Sequence, residues 1–231
     1  HYSSRRQRQM CIRDRATMKS TGEKINDFRC QTPVETVNYA LRNIEPKPVE
    51  LQLDTDFNYL VMAQWSVRKN IENTMNWFIE EFKDDDVGLI LKVNTMNNSK
   101  MDEDLTRRRL KGLAKSHGDI KCRVYFIHGD MKEEEIHGLY NHDKVKALIN
   151  LAHGEGFGLP MFEAAENELP VITVGWSGHT DFLYAPKKNK KTKNMQKRPH
   201  FAKVEYNLQP IQQEAVWKDV LIPEAMWAHA H

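Results

Sequence analysis

Two carboxylates, three glycines and a pair of cations are the residues of this 231-residue chain whose types and spacing suit chemistry. In the stretch INLAHGEGFGLPMFEAAENELPVITVGWSGHTD, residues 149–181, Gly154, Gly156 and Gly158 alternate between an apolar run and Pro160. Glycines let a backbone approach a ligand closely and take positive φ. A turn of N–H groups that feeds a helix N-terminus attracts anions, and a pyrophosphate suits it. Glu155 lies inside the turn, and Glu163 follows eight positions later, within the first turn of the helix that Pro160 opens. Ionised carboxylates accept paired hydrogen bonds from vicinal hydroxyls such as those of a hexose or a ribose. Upstream, Arg68 and Lys69 are cations of the kind that offset charge developing on a leaving diphosphate. Each feature also has a plainer reading. Glycine turns occur for steric reasons, an acid near a helix N-terminus complements the helix dipole, and Arg68–Lys69 also reads as a surface pair at a helix start.

These residues need a scaffold, and the apolar pattern supplies one. Short apolar runs at Phe57–Ala63, Val87–Val93, Cys122–Ile127, Val145–Ala152 and Leu169–Val174 read as buried strands. Between them, Asn70–Phe82 carries Ile71, Met75, Phe78, Ile79 and Phe82 at the spacing of one helix face, and residues 101–116, 132–141 and 160–166 read as further helices. Repeated strand–helix alternation predicts an α/β fold, a Rossmann-like parallel sheet with helices on both faces. Ligands of such sheets sit at the carboxyl ends of the strands, which directs attention to loops 64–70, 94–100, 128–132, 153–160 and 175–181.

Glu155, seven intervening residues and Glu163 match the E-x7-E motif of the glycosyltransferase group 1 family. The string GEGFGLPMFEAA…LPVITVGWSGHTDF resembles that family's donor-binding signature along its length. The resemblance implies the C-terminal half of a GT-B fold that uses a UDP- or GDP-linked sugar, without a metal, and retains anomeric configuration. It places Glu155 on the sugar hydroxyls and Glu163 on the ribose. Gly154, Gly156, Phe157, Gly158 and Leu159 then line the sugar and phosphate site. Lys69 aligns with a family lysine that faces the pyrophosphate, whereas Gln64 stands where the family carries arginine, with Arg68 close by to compensate. Lys92 reaches toward the cleft, Gly129 and Met131 lie near the nucleobase, and His179, within Gly178–Asp181, falls in a region that resembles the family's GG-x-x-D/E segment. Taken alone, His179 reads as a surface histidine.

The bulk properties exclude other classes. A formal net charge of +2 with both signs interspersed argues against a dedicated nucleic-acid protein. No P-loop and no G-x-S-x-G elbow occurs, and neither the ten histidines nor Cys11, Cys30 and Cys122 show metal-ligand spacing. An odd, sparse set of cysteines suits the cytoplasm. Residues 1–19, Arg-rich and without an apolar h-region, read as a disordered tail or as translated sequencing adapter from a metagenomic fragment. Residues 20–56, with Pro33, Pro46 and Pro48, read as a linker or the remnant of a preceding domain, and 57–231 as the binding domain. Residues 187–198 (KKNKKTKNMQKR) read as a basic flexible loop. By the resemblance, an N-terminal domain bearing the acceptor site and a closing C-terminal helix are missing. The expected function is hexosyl transfer to a glycan, lipid or protein acceptor, or, alternatively, non-catalytic binding of a nucleotide or glycan.

Overall fold

The computed structural model describes residues 39–189, 193–217 and 221–231. The tail 1–19 and residues 20–38 lie outside them. The chain divides into two units at Asn43 and Ile44, and residues 39–43, the described part of the first, have no regular structure.

The second unit is built as the apolar pattern predicts. Strand β1 (Asn58–Gln64) is followed by a 3₁₀ turn (Val67–Lys69) and helix α1 (Ile71–Phe82). Then come β2 (Gly88–Asn94), α2 (Lys100–Ser116), β3 (Arg123–Ile127), α3 (Glu133–Tyr140), β4 (Val145–Asn150), α4 (Leu159–Glu166), β5 (Val171–Val174) and the single-turn α5 (Thr180–Leu183). With β8 (Ala202–Val204) the strands form one six-stranded sheet in the order β3-β2-β1-β4-β5-β8, every described pairing parallel.

Side chains of a strand alternate between sheet faces, and two apolar clusters result. Val61, Leu89, Leu91 and Val93 pack with Ile71, Met75, Phe78 and Ile79 of α1 and Leu110 of α2. On the other face Leu60, Ile90 and Leu148 pack with Leu139 and Tyr140 of α3 and with Met161 and Ala164 of α4. Helices therefore cover both faces, and the fold is Rossmann-like α/β.

Three segments differ from the sequence reading. Residues 44–56, part of the stretch read as a linker or the remnant of a preceding domain, pack on the domain. Val49, Leu51 and Leu53 join the second cluster, and the Lys47 N–H donates to the Glu134 carbonyl at 2.8 Å. The alternation of Val49, Leu51 and Leu53 with Glu50, Gln52 and Asp54 carries this burial in the sequence, but the run is short and follows Pro46 and Pro48, which makes it look like a linker. The segment read as a basic loop contains paired strands. Here β6 (Tyr184–Lys188) and β7 (Met195–Pro199) form an antiparallel ribbon, with 190–192 outside the described residues. Finally, the C-terminal residues form a second antiparallel pair, β9 (Tyr206–Pro210) and β10 (Met226–Ala230). Among the described residues no helix is long and apolar enough to cross a membrane.

Candidate functional site

The strand order has a consequence for the loops. The chain runs outward from β1 through β2 to β3, then returns to place β4 on the opposite side of β1. At such a reversal the loops leaving the two central strands diverge and leave a crevice at their carboxyl ends. Arg68 and Lys69 follow β1, and the glycine turn 153–158 follows β4. Residues more than eighty positions apart are thereby brought together.

The meeting point is Glu155. Its side chain is 6% exposed and forms ion pairs with both Lys69 Nζ and Arg68 Nη1, the latter at 3.2 Å. Arg68 Nη1 also donates to the Gly154 carbonyl at 2.5 Å. Asn150 Nδ2 donates to Glu155 Oε1 at 3.2 Å, while Asn150 Oδ1 accepts from the Ala152 N–H at 3.0 Å. From the neighbouring strand end, Ser177 Oγ donates to the Glu155 carbonyl at 2.7 Å and accepts from the Glu155 N–H at 3.0 Å. Burial opposes ionisation of Glu155, but Lys69, Arg68 and Asn150 outweigh it and hold the carboxyl below its ordinary value. Burial in turn depresses the Lys69 ammonium, which Glu155 supports and Arg68 opposes. Two cations on one carboxylate leave the turn with a formal charge of +1. The positive end of the α4 dipole adds to it.

Helix α4 starts at Leu159, with Gly158 as its N-cap in the left-handed region (φ 86°, ψ 51°) and Pro160 in its first turn. Glu163 is thus the fifth helical residue and sits in the second turn, not the first as its distance from Pro160 had implied. Its Oε2 accepts from the buried Tyr140 hydroxyl at 3.1 Å. Tyr140 Oη also lies 3.5 Å from Met62 Sδ, so the phenol spans from α3 past β1 to the carboxylate. Burial, and then the negative charge of Glu163, push the Tyr140 phenol well above its ordinary value, so the hydroxyl remains a donor.

Gly158 is favoured chiefly by its backbone conformation, and secondarily by space that the end of the Met161 side chain would have to yield. Its φ is strained for any other residue, and a Cβ would come within 2.5 Å of Met161 Cε. Gly158→Ala is expected to lower stability by about 2 kcal/mol, read as a lower denaturation midpoint at unchanged slope. A change below about 0.5 kcal/mol would mean that the helix start relaxes without strain.

The remaining sequence candidates are dispersed around this centre. Gly156 and Leu159 are exposed at the turn, whereas Phe157 packs at a tilt against Phe162 and Phe182, which meet edge to face, with ring centroids 5.0–5.2 Å apart. Gln64 is exposed at the end of β1, with Nε2 3.5 Å from the Thr95 and Met96 carbonyls. Lys92, on the next strand, donates to the Gly129 carbonyl at 2.6 Å, Gly129 having φ 94°. Burial lowers the Lys92 ammonium from its ordinary value, against the pull of Asp130. Met131 is half-buried against the second apolar cluster. His179 is no surface histidine. It is 1% exposed and its Nε2 donates to the Val174 carbonyl at 2.8 Å.

Asn150, Ser177 and Tyr140 were not singled out in the sequence. Asn150 was detectable as a polar residue within the apolar run ALINLA. Ser177 and Tyr140 carried no such signal. Among the described residues no group of three or more His, Cys, Asp or Glu side chains is placed to hold a metal ion.

No protein-family model matches the sequence, and no curated protein matches it. Solved structures do. The C-terminal domain of a glycosyl transferase group 1 family protein from Francisella tularensis is 16% identical, with 55% of this chain and 67% of that one covered at a TM-score of 0.41. An α,α-trehalose-phosphate synthase (UDP-forming) from Burkholderia xenovorans, in complex with glucose-6-phosphate, is 10% identical, with 55% and 31% covered at a TM-score of 0.44. A trehalose-6-phosphate structure from E. coli, bound with UDP-2-fluoro glucose, is 10% identical, with 55% and 31% covered at a TM-score of 0.41. The match spans about a third of the length of the two latter chains.

Proposed function

We propose that this domain binds the diphosphate of a UDP- or GDP-linked sugar at the 153–159 turn and takes part in transferring the hexosyl group, with retention, to a glycan, lipid or protein acceptor in the cytoplasm. The observation that carries the reading is the convergence of Arg68 and Lys69 on Glu155 beside a left-handed glycine N-cap, at the strand-order reversal. Leaving-group charge grows as the glycosidic bond breaks. Cations already gathered in a partly dry site stabilise it, once the ligand has exchanged with Glu155. A diphosphate entering here competes with Glu155 for Lys69 and Arg68, and the released carboxylate then accepts hydrogen bonds from sugar hydroxyls. Glu163, held by Tyr140, takes the ribose. Lys92, Gly129 and Met131 border the base on this reading. No metal is called on, because the two cations supply the positive charge.

Gln64 favours one alternative. It brings no charge where the resemblance expects arginine, which suits a non-catalytic nucleotide- or glycan-binding module. Calorimetric titration of the chain with UDP, GDP and their glucose and mannose conjugates tests both readings. Binding is expected, and Glu163→Ala is expected to weaken it about tenfold. If the parent chain binds none of the four, or if Glu163→Ala binds as well as the parent, the donor-site reading is wrong. Binding without turnover in a chain completed by an N-terminal domain selects the module.

A further inference from the structure

The first residue of the donor turn is tied to segments on both sides of it, although neither the motif nor the reading above gives it a task. His153 is 2% exposed. Its N–H donates to the Arg68 carbonyl at 2.8 Å, and its carbonyl accepts from the Ala228 N–H at 2.9 Å. Its ring Nδ1 lies 2.7 Å from the Ala228 carbonyl. A carbonyl only accepts, so Nδ1 carries the proton. Burial, ahead of the other influences on the ring, lowers its pKa and favours the neutral form. Neutral Nε2 is then an acceptor, and Gln212 Nε2 stands 3.3 Å from it. The ring stacks on Trp227, centroids 4.8 Å apart at 20°, and the Trp227 indole N–H in turn donates to His229 Nε2 at 2.9 Å.

Ala228, the common partner, is fully buried and packs with Val174 and Ala230 against Trp176, Val204 and Tyr206. Trp176 closes the other side of the turn, because a Cβ on Gly154 would come within 3.1 Å of its ring. The start of the donor turn is therefore fastened on one side to the 3₁₀ turn that carries the cations, through the Arg68 carbonyl, and on the other to the C-terminal hairpin.

We propose that His153 is a positioning residue, through which the β9–β10 hairpin fixes the Gly154 carbonyl and the Glu155 carboxylate relative to Arg68 and Lys69. Its consequence for a ligand rests on the donor-site reading, but its consequence for the turn does not. The hairpin is thus part of the site's framework rather than a terminal appendage. His153 acts through Gly154 and Glu155 and need not touch a substrate.

Two variants of the full chain separate this from a general stabilising role. His153→Leu keeps apolar volume and removes the ring donor. His153→Asn keeps an N–H donor at the place of Nδ1. Hydrogen exchange followed by mass spectrometry reads the peptide covering Gly154–Leu159 against the peptide covering β2. In His153→Leu the turn is expected to exchange about tenfold faster while β2 is unchanged, and His153→Asn is expected to restore the parent rate. UDP or GDP affinity, by calorimetry, should fall about tenfold in His153→Leu and recover in His153→Asn. An unchanged turn in His153→Leu overturns the proposal. So does acceleration of β2 by the same factor, since that marks global loosening. If the parent binds neither nucleotide, the donor reading falls, and the exchange ratio alone decides whether the hairpin holds the turn.

Discussion

Lys69→Met is expected to weaken nucleoside-diphosphate binding at least a hundredfold and to lower the stability of the domain by about 3 kcal/mol. Both effects have one cause. The Lys69 side chain is 14% exposed and faces a carboxylate that is 6% exposed, so neither charge can turn to water when its partner is lost. Arg68 still reaches Glu155, but its own side chain is 40% exposed, and solvent screens that pair more strongly. Truncating one member of a largely buried pair leaves the other charge underneutralised, which costs more than the pair is worth. The ligand meets the same deficit: the formal charge of the turn drops from +1 to zero and a diphosphate loses its best-desolvated cation. Calorimetry and urea melts of the same preparation measure the two effects separately. Arg68→Met, by contrast, should cost less in stability because Arg68 is more exposed. If Lys69→Met binds UDP or GDP as the parent does, the cation pair belongs to the packing of the turn alone.

The second large effect is expected from Glu155→Gln, and it points the opposite way for two ligands. Removing the carboxylate frees Lys69 and Arg68, so UDP or GDP alone should bind at least as tightly as to the parent. The sugar conjugate should lose its advantage over the bare diphosphate, and any transfer activity should fall about a hundredfold or more, because a neutral amide accepts fewer and weaker hydrogen bonds from hydroxyls. Stability is expected to drop by about 2 kcal/mol at neutral pH. The pH dependence follows from the direction of the shift. Glu155 has a folded pKa below its ordinary value of 4.5. Its contribution is therefore present above 4.5 and lost as the pH falls through the lower folded value. Parent and Glu155→Gln should differ in stability above pH 4.5 and converge as acid protonates the parent. A difference that stays constant down to the acid transition would show that the charge of Glu155 contributes nothing, whatever its hydrogen bonds do.

The five alternating strands could be read from the chain because their side chains obey a local rule. Runs such as GLILKV and NYLVMA are largely buried on both faces, and such runs have few structures open to them besides interior strands of a parallel sheet. Helix α1 was legible for the same reason, through the spacing of Ile71, Met75, Phe78 and Ile79. The glycine turn was legible as well. Its left-handed N-cap at Gly158 and the helix that Pro160 opens are local backbone properties, written in residue types.

What contacts Glu155 is not a local property. Lys69 and Arg68 stand 86 and 87 positions away, and only the order β3-β2-β1-β4-β5-β8 puts the end of β1 beside the end of β4. Read in sequence, Arg68 and Lys69 were cations waiting for a phosphate and Glu155 an acid waiting for a hydroxyl. Folded together, opposite charges that share a poorly solvated crevice neutralise one another first. His153 and Ala228, 75 positions apart, make the same point. The place of the C-terminal hairpin behind the 153–158 turn was not legible in the sequence either. Composition and periodicity determined that this chain makes an α/β sheet with an anion-suited turn after its fourth strand. Which side chains meet at that turn was decided by tertiary structure alone, because hydrogen bonds and ion pairs form between neighbours in space, and only the strand order makes these residues neighbours.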